Sequence, residues 1–349
     1  MTFPDSLCSQ PSERTGKGGL PLRPSLWLIA LLFLTGVGCA HSGGTASSRR
    51  PLVLKTAPGG STVSSAPYTR RVETTNGLVT LEVALRQFAP QSSRGGFFPE
   101  IWLVGVTHLG TSNYYARLQR FLDAQELVLF EGIGATNGQF HVSQGAGFSL
   151  QPALAKALGL HFQLTSLDYQ RPHWVNSDLG LADLQRHLPA DGPSTSMDQL
   201  MAAFQGEGAV GMVARLGVAL LAASPRLQAI SRLMLIETLG GFNGELPEGA
   251  ELGIDTKELM RVLIRERNAV VVRDLRRALR GRPLPKTIAI FYGAGHMPDL
   301  ESRLRLELGL TPVSDQWLRA FSVNPGRTGL SADEITMIRE SVSQELKKK

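Results

Sequence analysis

Cysteine is almost missing from this chain: its 349 residues include only Cys8 and Cys39. Both precede the part able to fold, so that part contains no disulfide and no thiolate metal site. Any metal there must be held by imidazole and carboxylate. Charged residues make up 19% and aromatic residues 7%, against 42% hydrophobic, with a formal net charge of +6. That balance excludes a disordered or multi-span chain and allows a sizeable core in one large domain or two small ones. Long apolar runs are also scarce. The charge-free run Leu26–Val37 rises about 18 Å as a helix, short of the roughly 20 residues a bilayer requires, which argues against a permanent span.

What is there begins with an address. Arg14, Lys17 and Arg23 precede that apolar run, and Gly36, Gly38, Cys39 and Ala40 follow. This is the layout of a secretion signal. The small residues directly before Cys39 resemble the lipobox of bacterial lipoproteins, in which the cysteine becomes the lipidated first residue. Gly36 stands where that pattern prefers leucine, and the alternative is an ordinary signal peptide cut near Ala40. Either way the chain is expected to be exported, to the periplasm or cell surface, and anchored to the membrane if Cys39 is lipidated. Nucleic acid is not an expected partner, because export removes access to it and no nucleic-acid module is visible.

Residues 1–39 are thus read as the signal segment. Residues 40–75, rich in Ser, Thr, Gly, Pro and Ala, form an expected flexible tether, since they cannot bury enough apolar surface to offset their ordering entropy. The body is expected over 76–326. A charged helix should occupy 327–349, with Ser331 and Glu334 as a capping box.

Within the body, Ile101–Val106 and Leu127–Phe130 read as buried strands. Between them, Tyr115, Leu118, Phe121 and Leu122 recur at helical spacing after a cap at Ser112. Strand, helix and strand make a βαβ unit with parallel strands. A third strand is predicted at Phe162–Leu167 after a short helix through Leu154 and Leu158, and a fourth at Thr287–Tyr292. Helical stretches at Val213–Leu221, Leu227–Leu239 and Glu258–Arg280 lie between the last two. The expected fold is α/β: a central, mostly parallel sheet flanked by helices, with a helical insertion before the last core strand. Glycine-rich stretches at 132–147 and 240–253 are connections able to serve as lids.

Two segments carry the chemistry. Gly105-Val-Thr-His108 ends the first strand and Gly293-Ala-Gly-His296 ends the fourth. Each sets a histidine past the carboxyl end of an apolar strand, the edge where open α/β sheets bind ligands. Glycine ahead of each histidine permits a sharp turn or a close approach. Glu131 ends the second strand, and a carboxylate there needs a partner or a metal. Two imidazoles and a carboxylate are also the ligand set of many catalytic zinc sites. Asp168, Tyr169 and His173, just past the predicted third strand, are further pocket candidates. Asp178 is another, as a carboxylate orienting a histidine or as a helix cap.

The segments VGVTHLG, LFEG and FYGAGHMPDLE resemble the TraB, PrgY and GumN family, which includes the Wnt-inactivating TIKI proteases. The resemblance implies a fold similar to erythromycin esterase and the haem-binding ChaN lipoproteins, and in some members a divalent metal such as manganese or cobalt. It assigns the two motif histidines to His108 and His296, the glutamate to Glu131 and the arginine to Arg267, with Arg273 as fallback. On that footing His108, His296 and Glu131 hold a manganese, cobalt or zinc ion. Glu131 is instead the base if it takes the proton of water, and Arg267 steadies an oxyanion. The expected activity is metal-dependent hydrolysis of a peptide or other amide or ester. The alternative is a lipoprotein that binds haem or a peptide without turnover.

Overall fold

The computed structural model describes residues 66–91, 97–132, 150–179, 208–242 and 261–347. The expected signal, Cys39, the tether up to residue 65 and most of both glycine-rich stretches lie outside the described residues. The chain runs β1 (Thr69–Glu73), β2 (Val79–Pro90), β3 (Glu100–Val106), β4 (Leu109–Gly110), α1 (Ser112–Asp123) and β5 (Leu127–Phe130). There follow α2 (Leu150–Ala157), β6 (His161–Phe162), α3 (Gln163–Ser166), β7 (Trp174–Asn176), α4 (Gly208–Ala223) and α5 (Pro225–Gly240). A π-helical turn, Arg261–Glu266, leads into α6 (Arg267–Arg280), and then come β8 (Thr287–Gly293), α7 (Met297–Leu308), β9 (Leu310–Val323) and α8 (Ala332–Lys347).

The fold is α/β. The main sheet has the order β1-β2-β3-β8-β5-β7, with β9 also paired to β2. Its working half, β3-β8-β5-β7, is parallel throughout. β1, β2 and β9 extend it antiparallel. Strand periodicity divides the side chains between two cores. Trp102, Val104, Val106, Val128, Phe130, Ala289 and Phe291 enter one, under α1 and α5. Ile101, Leu103, Leu129, Ile288, Ile290 and Tyr292 enter the other, under α6 and α7. Alternate residues of a strand point to opposite faces, so a continuous apolar run is what a sheet covered on both sides requires.

Several expectations are corrected. The body starts earlier than residue 76: β1 falls inside the predicted tether, where Tyr68 is buried and its hydroxyl donates to Glu301 Oε2 at 2.8 Å. Phe162–Leu167 is not a sheet strand. Only His161 and Phe162 are extended, paired to β4, and Gln163–Ser166 turns as a helix. The strand beside β5 is instead Trp174–Asn176. The cap of α1 is Thr111, whose hydroxyl accepts from Tyr114 N, rather than Ser112. The Ser331–Glu334 capping box forms as expected, Ser331 N donating to Glu334 Oε2 at 2.9 Å and Glu334 N to Ser331 Oγ at 3.2 Å.

The long antiparallel strands escape a hydrophobic reading because they bury charge. Arg86 on β2 is 2% exposed and holds Glu301 of α7 at 2.7 Å and Asp315 of β9 at 2.7 Å. Such a pair survives burial only when its hydrogen bonds are all made, and here the Ala66 carbonyl and the ring face of Tyr68 complete the shell of Arg86.

Candidate active site

Each of the four parallel strands delivers one side chain to the same carboxyl-end rim. His108 lies two residues past β3, Glu131 directly past β5, Asp178 two residues past β7, and His296 three residues past β8. Register makes them neighbours, since Val106 pairs with Gly293 and Phe130 with Phe291. Glu131 N then donates to Phe291 O at 3.0 Å, and Gly293 N donates to Glu131 Oε2 at 2.6 Å. The glycines of the two motifs are not there for an unusual turn, because neither Gly105 nor Gly293 has a positive φ. Gly105 serves close approach: a Cβ on it would lie 3.2 Å from Ala84 O of the neighbouring strand.

Arg267, the first residue of α6, closes the rim from above the sheet and is fully buried. Its Nε donates to Asp178 Oδ1 at 2.9 Å, and its Nη2 donates both to Asp178 Oδ2 at 2.7 Å and to Glu131 Oε1 at 2.5 Å. Nη1 lies 3.3 Å from His296 Nε2. The arginine predicted to steady an oxyanion is therefore committed first to two carboxylates. Burial pushes the Glu131 carboxyl up, yet the Arg267 guanidinium, followed by the His296 imidazole, outweighs burial and holds it well below the usual carboxylate range.

The two histidines are prepared differently. His296 Nδ1 lies 2.8 Å from Asn268 Oδ1, while the Asn268 amide donates to His296 O at 3.2 Å and to Asp299 Oδ2 at 2.8 Å. With its nitrogen engaged as donor, Asn268 presents oxygen to the ring. Nδ1 therefore donates to that oxygen, and Nε2 points toward Arg267 and Glu131, 3.5 Å from Glu131 Oε1. Tyr292 packs edge-on against the same ring at 5.2 Å and anchors its own hydroxyl on Ser177 O at 2.5 Å. His108 is buried, and its Nε2 has no hydrogen-bond partner among the described residues. Burial pushes its pKa down, keeping the imidazole neutral at pH 7; Glu131, Arg267 and His296 also act on it.

Of the expected residues, His108, Glu131, Arg267 and His296 come together, and Asp178 joins them as a direct partner of Arg267. Asp168 and His173 do not. Asp168 is about half exposed beside Arg171, and His173 Nε2 lies 3.4 Å from Leu122 O in the α1 layer. The reason is that the chain returns to the sheet at β7, past both residues, so only Asp178 reaches the rim. Arg273, the fallback arginine, is exposed against Asp274. Asn268 was not anticipated; its only sequence signal is its place directly after Arg267.

Imidazole and carboxylate are donor types that a divalent cation takes, but the described side chains are not gathered around one point. Two carboxylates and one guanidinium leave the described buried cluster one negative charge in excess, and the imidazoles of His108 and His296 adjoin it. Among the described residues, no group of three His, Cys, Asp or Glu side chains is gathered as a ready metal cluster. Arg267 Nη1 lies 3.3 Å from His296 Nε2, the nitrogen an ion would use.

No protein family, curated protein or solved structure matches this chain.

Proposed function

We propose that this protein is an exported, lipid-anchored hydrolase of amide or ester bonds. The observation that supports this most is the buried rim where two imidazoles, two carboxylates and an arginine from four parallel strand ends and one helix converge with an unbalanced negative charge. His108 Nε2, His296 Nε2 and Glu131 would hold a manganese, cobalt or zinc ion, which when bound acts as a Lewis acid and lowers the pKa of its water toward about 7. The chain's own contribution is preparation. Arg267 keeps Glu131 ionised, which makes that carboxylate a good ligand and a weak base at neutral pH. Asn268 keeps the His296 proton on Nδ1, so Nε2 stays available without a change of tautomer.

The test is metal analysis of the purified protein, followed by hydrolysis of peptide and ester libraries with and without chelator. Turnover should vanish in chelator and return with one of the three metals. Turnover indifferent to chelator would remove the metal. A Soret band on adding haem, with no turnover under any metal, would replace the hydrolase by the binding protein.

Cys39 carries the localisation. Cys39→Ser should abolish the lipid mass at the N-terminus and weaken the protein's hold on the membrane fraction of cells. A wild type without the lipid mass, or a variant held by the membrane as firmly as the wild type through a high-salt wash, would each end the anchor assignment.

A further inference from the structure

α4 is built the wrong way round for a helix in water. Its 16 residues, GAVGMVARLGVALLAA, include one charge. Its large side chains point outward: Met212 and Val213 are each 70% exposed, Leu216 62% and Leu220 57%. At about 100° per residue these four share a sector roughly 100° wide, and Leu221, on the far side, packs toward the core under α5. A helix apolar on every side belongs in a core or against a membrane, and an exposed apolar stripe of this size marks a contact surface.

We propose that the Met212–Leu220 face of α4 docks in the plane of a bilayer bearing anionic headgroups. The helix is about 24 Å long, too short to cross, and no described helix is long and apolar enough to do so. α4 and α5 carry three arginines, Arg215, Arg226 and Arg232, against one acidic residue, Glu237, which is itself paired to Arg71 and Arg339, so the α4–α5 pair is net basic toward a negative surface. Placement agrees. The segment following Cys39 joins the body at β1, which packs on α5: Thr69 Oγ1 donates to Leu239 O at 2.6 Å, and α5 in turn packs on α4. The choice of a membrane over another partner rests on the lipid-anchor reading above.

The experiment places an environment-sensitive nitrobenzoxadiazole label on Leu216→Cys or Leu220→Cys in the full chain with Cys8→Ser and Cys39→Ser. Leu306→Cys is the control; it is 68% exposed on α7, on the opposite face of the sheet. Vesicles of phosphatidylethanolamine and phosphatidylglycerol should shift emission to the blue and protect the label from aqueous quencher at 216 and 220, and not at 306. Leu216→Ser with Leu220→Ser should lower vesicle partitioning at least about tenfold, since each buried leucine is worth well over the 1.4 kcal/mol that a factor of ten requires. No shift at 216 and 220, or an equal shift at 306, overturns the proposal. So does a shift without vesicles that grows with protein concentration, which would mean a second copy covers the face. Failure of the anchor reading shows separately, as wild-type protein without the lipid mass at Cys39 while the labels still report docking.

Discussion

Arg267→Met loses about 3–5 kcal/mol of stability at pH 7, because the substitution strands two buried carboxylates that now share one guanidinium. The measurement is the denaturant midpoint across pH, and the sign of the pH dependence is diagnostic. In the wild type the folded pKa of Glu131 lies below its unfolded value, so its contribution is present above about pH 4.3 and drains away as pH falls toward the folded value. In the variant the opposing charge is gone and burial, which pushes the carboxyl up, prevails. A raised folded pKa favours the native state at low pH, so the deficit of the variant shrinks on acidification and the two stability curves converge. A deficit of the same size from pH 7 to pH 4 would mean that Glu131 is not held by Arg267. Arg267→Lys should recover only part of the loss, since an ammonium keeps the charge but cannot span Glu131, Asp178 and His296 in one planar fork.

His296→Ala and His108→Ala should each lower kcat/KM by about a thousandfold or more, roughly 4 kcal/mol of transition-state stabilisation, with both variants folded. Folding of the His108 variant follows from the structure: the lost ring packing is offset because the unpartnered Nε2 no longer has to be buried. The effect of Asn268→Ala is graded, about 10–100-fold in metal affinity, because it frees the orientation and tautomer of His296 without removing a ligand. Activity and metal content of the three variants, measured beside circular dichroism, check this. Wild-type rates in either histidine variant would break the site apart; an Asn268→Ala variant as inactive as His296→Ala would make the asparagine more than a positioning residue.

Much of the rim was legible from local sequence. IWLVGV, LVLF and TIAIFY are short apolar runs whose strand character depends on their own residues, and the two Gly-x-x-His segments and Glu131 directly follow such runs. Their convergence needed only parallel pairing. The misreadings share a cause. Phe162–Leu167 is apolar enough for either period, and with so few residues neither helix nor strand spacing is distinctive. β2 and β9 read poorly because Arg86, Glu82 and Asp315 interrupt them, and the partners that make Arg86 tolerable stand 215 and 229 residues away.

The three strands that end at His108, Glu131 and His296, and the pair of motif histidines themselves, were properties of neighbouring residues, and the amino-acid order alone settled what could be expected of them. Which charge answers which was not local. Asp178 reads as a helix cap until Arg267, 89 residues later, is brought to 2.7 Å from it, and Asn268 gains a task only when His296 arrives, 28 residues further on. A buried ionic group is stable only through partners that chain return supplies, so its role appears when the chain has closed around it.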